Sequence, residues 1–156
     1  MSESPKWSEV RCAQYEFSIV IEASRERVWR GLTDQLGTWW LPDFHMLGTD
    51  SIVTLELRAG GRLFEQNGDQ HLLWYTVIAI QKSESLDLVG YINANYGGPA
   101  TTMLNATLSV ESANRTVLRI SDSLYGQVTD GLVNSLSTGW QMLFTDGLKA
   151  YLEAMD

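Results

Sequence analysis

The chain has one cysteine, Cys12, so no disulfide can form within it, which suits a reducing compartment. Its two histidines, His45 and His71, are isolated, and no pair among them and Cys12 has i,i+4 or C-x-x-C spacing; neither a metal nor any other cofactor is expected. Basic residues are scarce as well. Eleven Lys and Arg against nineteen Asp and Glu leave a net charge of -8, and no basic run exists, so nucleic acid and anionic membrane are poor partners. The longest apolar run, Leu72 to Ile80, is interrupted by Thr76 and falls well short of the ~20 residues of a membrane span. The segment Met1 to Lys6 lacks the basic and apolar regions of a secretory signal, so a cytoplasmic location is expected. No G-x-S-x-G elbow, P-loop or G-x-G-x-x-G appears, which removes the usual sequence support for hydrolysis or nucleotide binding.

What remains is a chain of 156 residues, 44% hydrophobic and 19% charged. That is enough for one well-packed domain over residues 1–156, with a core of about 14–154, and it excludes a disordered protein. Tyr15 to Glu22 alternates apolar and polar, the period of a strand with one buried face. Ser24 stands at an N-cap position with Glu26 in the first turn, and Val28, Trp29 and Leu32 recur at helical spacing, predicting a short helix from Arg25 to about Thr33. Asp34 is placed to cap a second helix carrying Leu36, Trp39 and Trp40, closed by Pro42. Short strands follow: Ile52 to Leu57, a run through Phe64 after a Gly60-Gly61 hairpin, then Leu72 to Gln81, Leu86 to Tyr91, Thr102 to Val110 and Thr116 to Leu124. The brief connections favour an antiparallel meander. Leu132, Leu136, Trp140, Leu143, Phe144, Leu148, Tyr151 and Leu152 step by threes and fours, which predicts one long amphipathic helix from Asp130 to Ala154.

This order of elements predicts an α+β helix-grip fold: a curved seven-stranded antiparallel sheet, two short helices after the first strand, and one long C-terminal helix over the sheet's apolar face. Val28-Trp29, Trp39-Trp40 with Pro42, Leu55 to Arg62 at the hairpin and Gly139-Trp140 carry a resemblance to a known family. The chain resembles the START-related, birch-pollen-allergen-like superfamily (SRPBCC), in the branch named after the activator of the heat-shock protein's ATPase. The resemblance runs from about Tyr15 to Leu152. It implies a helix-grip fold and a role among ligand carriers, polyketide cyclases and chaperone-interacting domains, with no shared catalytic constellation to carry over.

The wedge between sheet and helix is where such folds take ligands. The expected lining is Trp39, Trp40, Leu55, Leu57 and Phe64 on one side and Trp140, Leu143 and Phe144 on the other, with Tyr91 as a hydrogen-bond donor. The two adjacent indoles of Trp39 and Trp40 carry most weight, because a short helix at a sheet edge is not expected to bury both. By alternation Glu56 and Glu65 point to solvent, and His71 reaches at most a pocket rim. The leading expectation is binding of a small apolar or aromatic molecule by a monomer or homodimer. An enzyme of cyclase or hydrolase type, with a titratable pair in the same cavity, is one rival; a module that docks a chaperone or other protein through an exposed apolar patch is the second.

Overall fold

The computed structural model describes residues 3–154. β1 (Arg11–Ile21) starts ahead of the clear alternation and ends where Ser24 caps α1 (Arg25–Asp34), its Oγ accepting from the Arg27 amide at 3.3 Å. α1 buries Val28, Trp29 and Leu32, the face its spacing predicted. Asp34 ends α1 and does not cap its successor. α2 (Leu36–Trp39) follows after Gln35 alone, leaving no room for a separate capping turn, and Gln35 makes no side-chain cap. Pro42 opens a 3-10 turn (Pro42–Phe44), where its fixed φ and missing N–H cost nothing.

The sheet comprises β2 (Ile52–Leu55), β3 (Arg62–Asn67), β4 (Gln70–Gln81), β5 (Ser85–Ile92), β6 (Ala100–Ser112) and β7 (Arg115–Gly126). These form a meander, and β1 returns to pair with β7. The order is β1-β7-β6-β5-β4-β3-β2, antiparallel throughout. α3 (Asp130–Met142) begins at Thr129, whose Oγ1 accepts from the Leu132 amide at 3.1 Å. It runs on through a π-helical segment (Leu143–Lys149) into α4 (Ala150–Glu153). The sequence period predicted a plain α-helix here. The wider π turn brings Leu143, Phe144, Gly147 and Leu148 together onto the buried side, each Leu contributing on the order of 1.5–3 kcal/mol. This is the helix-grip fold, and no helix among the described residues is long and apolar enough to cross a membrane.

The β2–β3 connection corrects the sequence reading. β2 ends at Leu55 and β3 resumes at Arg62, so the loop is Glu56 to Gly61 and not a two-residue turn. Leu55 pairs with Leu63 and Val53 with Glu65, which turns Leu63 and Glu65 inward and Phe64 outward. The Arg62 guanidinium covers the Phe64 ring at 4.5 Å on that outer face. Of the two glycines only Gly60 has a positive φ, +79°; Gly61 is needed for space, since a Cβ there would lie 2.1 Å from the Glu56 carbonyl oxygen.

Candidate functional site

The wedge between sheet and helix divides into two halves, and the inward side chains of β5 and β6 show why. Along one half Leu86 pairs with Ala106 and Leu88 with Leu104; along the other Gly90 pairs with Thr102 and Ile92 with Ala100. The inward row of β5 therefore drops from leucine to Gly90 before Ile92, and that of β6 falls from Leu104 to Thr102 and Ala100. Gly90 cannot be larger: a Cβ would sit 2.7 Å from the Trp74 carbonyl oxygen and 2.9 Å from the Tyr75 ring.

The leucine half is filled from above. Leu32, Leu36, Trp39, Trp40 and Phe144 close over it, leaving a void of about 30 Å³, too small for an organic ligand. The small-residue half is an open cavity of about 460 Å³, within the range of small-molecule sites. Trp74 and Tyr75 of β4, Ile92 of β5 and Thr102 of β6 line its sheet side. α3 contributes Leu132, Ser135, Leu136 and Trp140, and Met46, Leu72, Leu73, Tyr91, Asn93 and Tyr96 complete the lining. None of the described lining residues is charged.

The expected ligand contacts are thus redistributed. Trp140 and Tyr91 line the large cavity. Trp39, Trp40, Leu55 and Phe144 line only the small void, and Leu143 is fully buried. Leu57 and Phe64 line neither: Leu57 lies in the loop beyond the end of β2, and the pairing of Leu55 with Leu63 turns Phe64 to the outer face. Both indoles expected to be half-covered are buried, Trp39 at 4% and Trp40 at 5% exposure. The Trp39 Nε1–H donates to the Gly31 carbonyl at 2.6 Å and that of Trp40 to the Phe44 carbonyl at 3.1 Å. Their rings lie 5.8 Å apart, and Trp40 packs edge-on to Trp74 and Trp140, so α1, the 3-10 turn and the C-terminal helix bury together what a short helix alone could not.

Two buried carboxylates flank these halves, and neither was recognised as inward from the sequence. Glu65, expected at the surface, is completely buried. It accepts from the Met46 and Leu47 amides at 3.1 and 2.8 Å, from Ser51 Oγ at 2.5 Å and from Trp74 Nε1 at 3.1 Å. Burial alone would raise its pKa, but these hydrogen bonds outweigh burial and hold the carboxyl below its usual range. His45 Nδ1 lies 2.7 Å from Ser51 Oγ, so Glu65 ties the chain after α2 to the sheet and fixes Met46 and Trp74 at the cavity wall. Asp122 on β7 accepts from Tyr15 Oη at 2.7 Å and Thr102 Oγ1 at 2.5 Å. There burial dominates over the hydrogen bonds, and the carboxyl is pushed up. Burial and then the Asp122 charge push the Tyr75 hydroxyl up, so it stays a neutral donor. Asp122 was legible: it falls in the inward register of Thr116, Leu118, Ile120 and Leu124. Glu56, by contrast, lies in the surface loop, where hydrogen bonds from Arg62 lower its pKa to about 2. His71 is exposed on β4 and does not line the cavity. Among the described residues no three His, Cys, Asp or Glu are grouped so as to hold a metal.

A curved antiparallel sheet gripping a long C-terminal helix, with a cavity at one end of the grip, defines the helix-grip class of fold. Within it the chain belongs to the family of activator of Hsp90 ATPase homolog 1-like proteins, whose family model matches residues 22–153. No curated protein matches the sequence. Among solved structures it is similar to the Aha1 dimer from Colwellia psychrerythraea, with 20% identity over 90% of this chain and 96% of that one, and a TM-score of 0.63. DynU16, encoded in the dynemicin biosynthetic locus, superposes with a TM-score of 0.67 and 19% identity over 90% of this chain and 47% of that one. Ara h 8.0201 gives 0.63 at 9% identity, over 92% and 99%. At these identities the likeness establishes the fold.

Proposed function

We propose that this protein binds a small, uncharged, predominantly apolar molecule in the 460 Å³ cavity between the sheet and α3. The observation that carries the reading is the lining. Trp74, Tyr75, Ile92, Leu136 and Trp140 offer aromatic and aliphatic surface, and a few hydroxyl and amide groups interrupt it with no charge. A cyclase or hydrolase that works through a carboxylate or imidazole would need that group facing its substrate, whereas Asp122 and Glu65 are spent on their own hydrogen bonds and do not line the cavity.

The test is a titration with phenylnaphthylamine, an uncharged fluorescent probe. It should saturate at roughly micromolar concentration and change tryptophan emission through Trp74 and Trp140. Leu136→Trp, which fills the cavity from α3, should weaken binding by about tenfold, or 1.4 kcal/mol, in a protein that remains folded by circular dichroism. A folded wild type that never saturates, or a variant that binds as well, refutes the reading and favours a protein-docking role.

A further inference from the structure

Resting on the reading of the cavity as a ligand site, we infer that its preferred ligand carries a neutral carbonyl oxygen, received jointly by the Tyr75 hydroxyl and the Trp140 indole N–H. Thr102 Oγ1 donates its only proton to Asp122 Oδ1 at 2.5 Å. In the contact between Tyr75 Oη and Thr102 Oγ1, Tyr75 must therefore be the donor. That bond is long for two hydroxyls, at 3.3 Å, so the Tyr75 proton is held loosely and can turn to a better acceptor. Beside it, the Trp140 Nε1–H is buried with no hydrogen-bond partner among the described residues. The Tyr75 and Trp140 rings are 5.9 Å apart.

Both side chains line the cavity and are nine-tenths buried, Tyr75 at 3% and Trp140 at 7% exposure. A buried N–H without a partner is uncommon, and here it stands next to a second, poorly used donor and open space. One oxygen with two lone pairs satisfies both at once. A carbonyl does this and brings no proton of its own, whereas an alcohol adds a third donor to a corner that already has two. A carboxylate has the oxygens, but no cation among the described residues lines the cavity to offset its desolvation, and the chain carries a net charge of -8. The class selected is a ketone, ester or amide on an apolar body.

Three probes of nearly one shape separate these cases: acetophenone, α-methylstyrene with a methylene in place of the oxygen, and benzoate. Each competes with phenylnaphthylamine for the wild-type protein. Acetophenone should displace the dye at about tenfold lower concentration than α-methylstyrene, with benzoate the weakest. Tyr75→Phe should cut the preference for the ketone to about threefold or less while leaving α-methylstyrene unchanged, which a merely structural role for the hydroxyl does not predict. Should that variant not fold, Thr102→Val removes the acceptor that occupies the Tyr75 proton, and the preference should then widen. Equal displacement by the two neutral probes, strongest displacement by benzoate, an unaltered ratio in Tyr75→Phe or a narrowed one in Thr102→Val would overturn the inference and leave the ligand site standing. Failure of the dye to bind the folded protein would overturn both.

Discussion

One sheet and one helix enclose two halves of a single wedge, and the halves have opposite fates. Under α1, α2 and the π-helical segment, leucines rise from the sheet to meet Trp39, Trp40 and Phe144, and about 30 Å³ is left. Under α3 the same strands present Gly90, Thr102 and Ala100 in the inward register, and about 460 Å³ stays open. The β5–β6 pairing continues unbroken across both, so between these strands the difference is one of side-chain size; β4 pairs with β5 only from Thr76 and Val89 onward, beside the filled half. Trp140 stands between the two, lining the void on one side and the cavity on the other.

The largest effect should come from removing that partition. Trp140→Ala deletes a buried indole that stacks on Phe144 at 5.5 Å and should cost about 3–5 kcal/mol in urea unfolding. In whatever fraction folds, the void and the cavity should merge and admit bulkier probes than the wild type does. A loss below about 1 kcal/mol would mean that the halves are not separated as described.

The two buried carboxylates sharpen the comparison, because opposite pKa shifts give opposite pH dependences. Glu65 is held below its ordinary 4.5, so its contribution is present above about pH 4.5 and is lost as the pH falls through its folded value. Asp122 is held above its ordinary 3.8, so its contribution is greatest below that pH and is lost as the pH rises through its folded value. Glu65→Gln keeps the shape but turns amide hydrogens toward the Met46, Leu47, Ser51 and Trp74 donors. It should cost about 1–3 kcal/mol at neutral pH and flatten the acid-side loss of stability. Asp122→Asn should have the smallest effect, within about 1 kcal/mol at neutral pH, since it removes the burial of a charge along with a hydrogen-bond acceptor. It should also abolish the decline in stability as the pH rises from acid. Thermal midpoints across pH check both, and like-signed slopes from the two variants would contradict the assignment.

The fold was legible because its signals are local and periodic: the alternation of Tyr15 to Glu22, the cap at Ser24, and the three- and four-residue steps from Leu132 to Leu152. The site was only partly so. The Glu56 to Gly61 loop is not the two-residue turn its glycines suggest, and the pairing of Leu55 with Leu63 reverses the parity of β3, which puts Phe64 outside and Glu65 inside. Asp122 and the shrinking inward rows, Leu88 to Gly90 and Leu104 to Ala100, were visible in the alternation. Whether small residues leave a cavity, however, depends on what the opposite layer supplies, and that is non-local. Trp39 and Trp40 suggested a pocket by their number, yet they are the side chains that fill the space.

The most direct test of the account follows the indole N–H signals of the tryptophans by NMR as acetophenone is added to saturation. Trp140, whose N–H has no partner among the described residues, and Trp74, bonded to Glu65 at the cavity wall, should shift strongly. Trp39, tied to Gly31 inside the filled half, should stay in place. If Trp39 moves while Trp140 and Trp74 do not, or if none of the three responds at saturating probe, the open half is not where this protein takes its ligand.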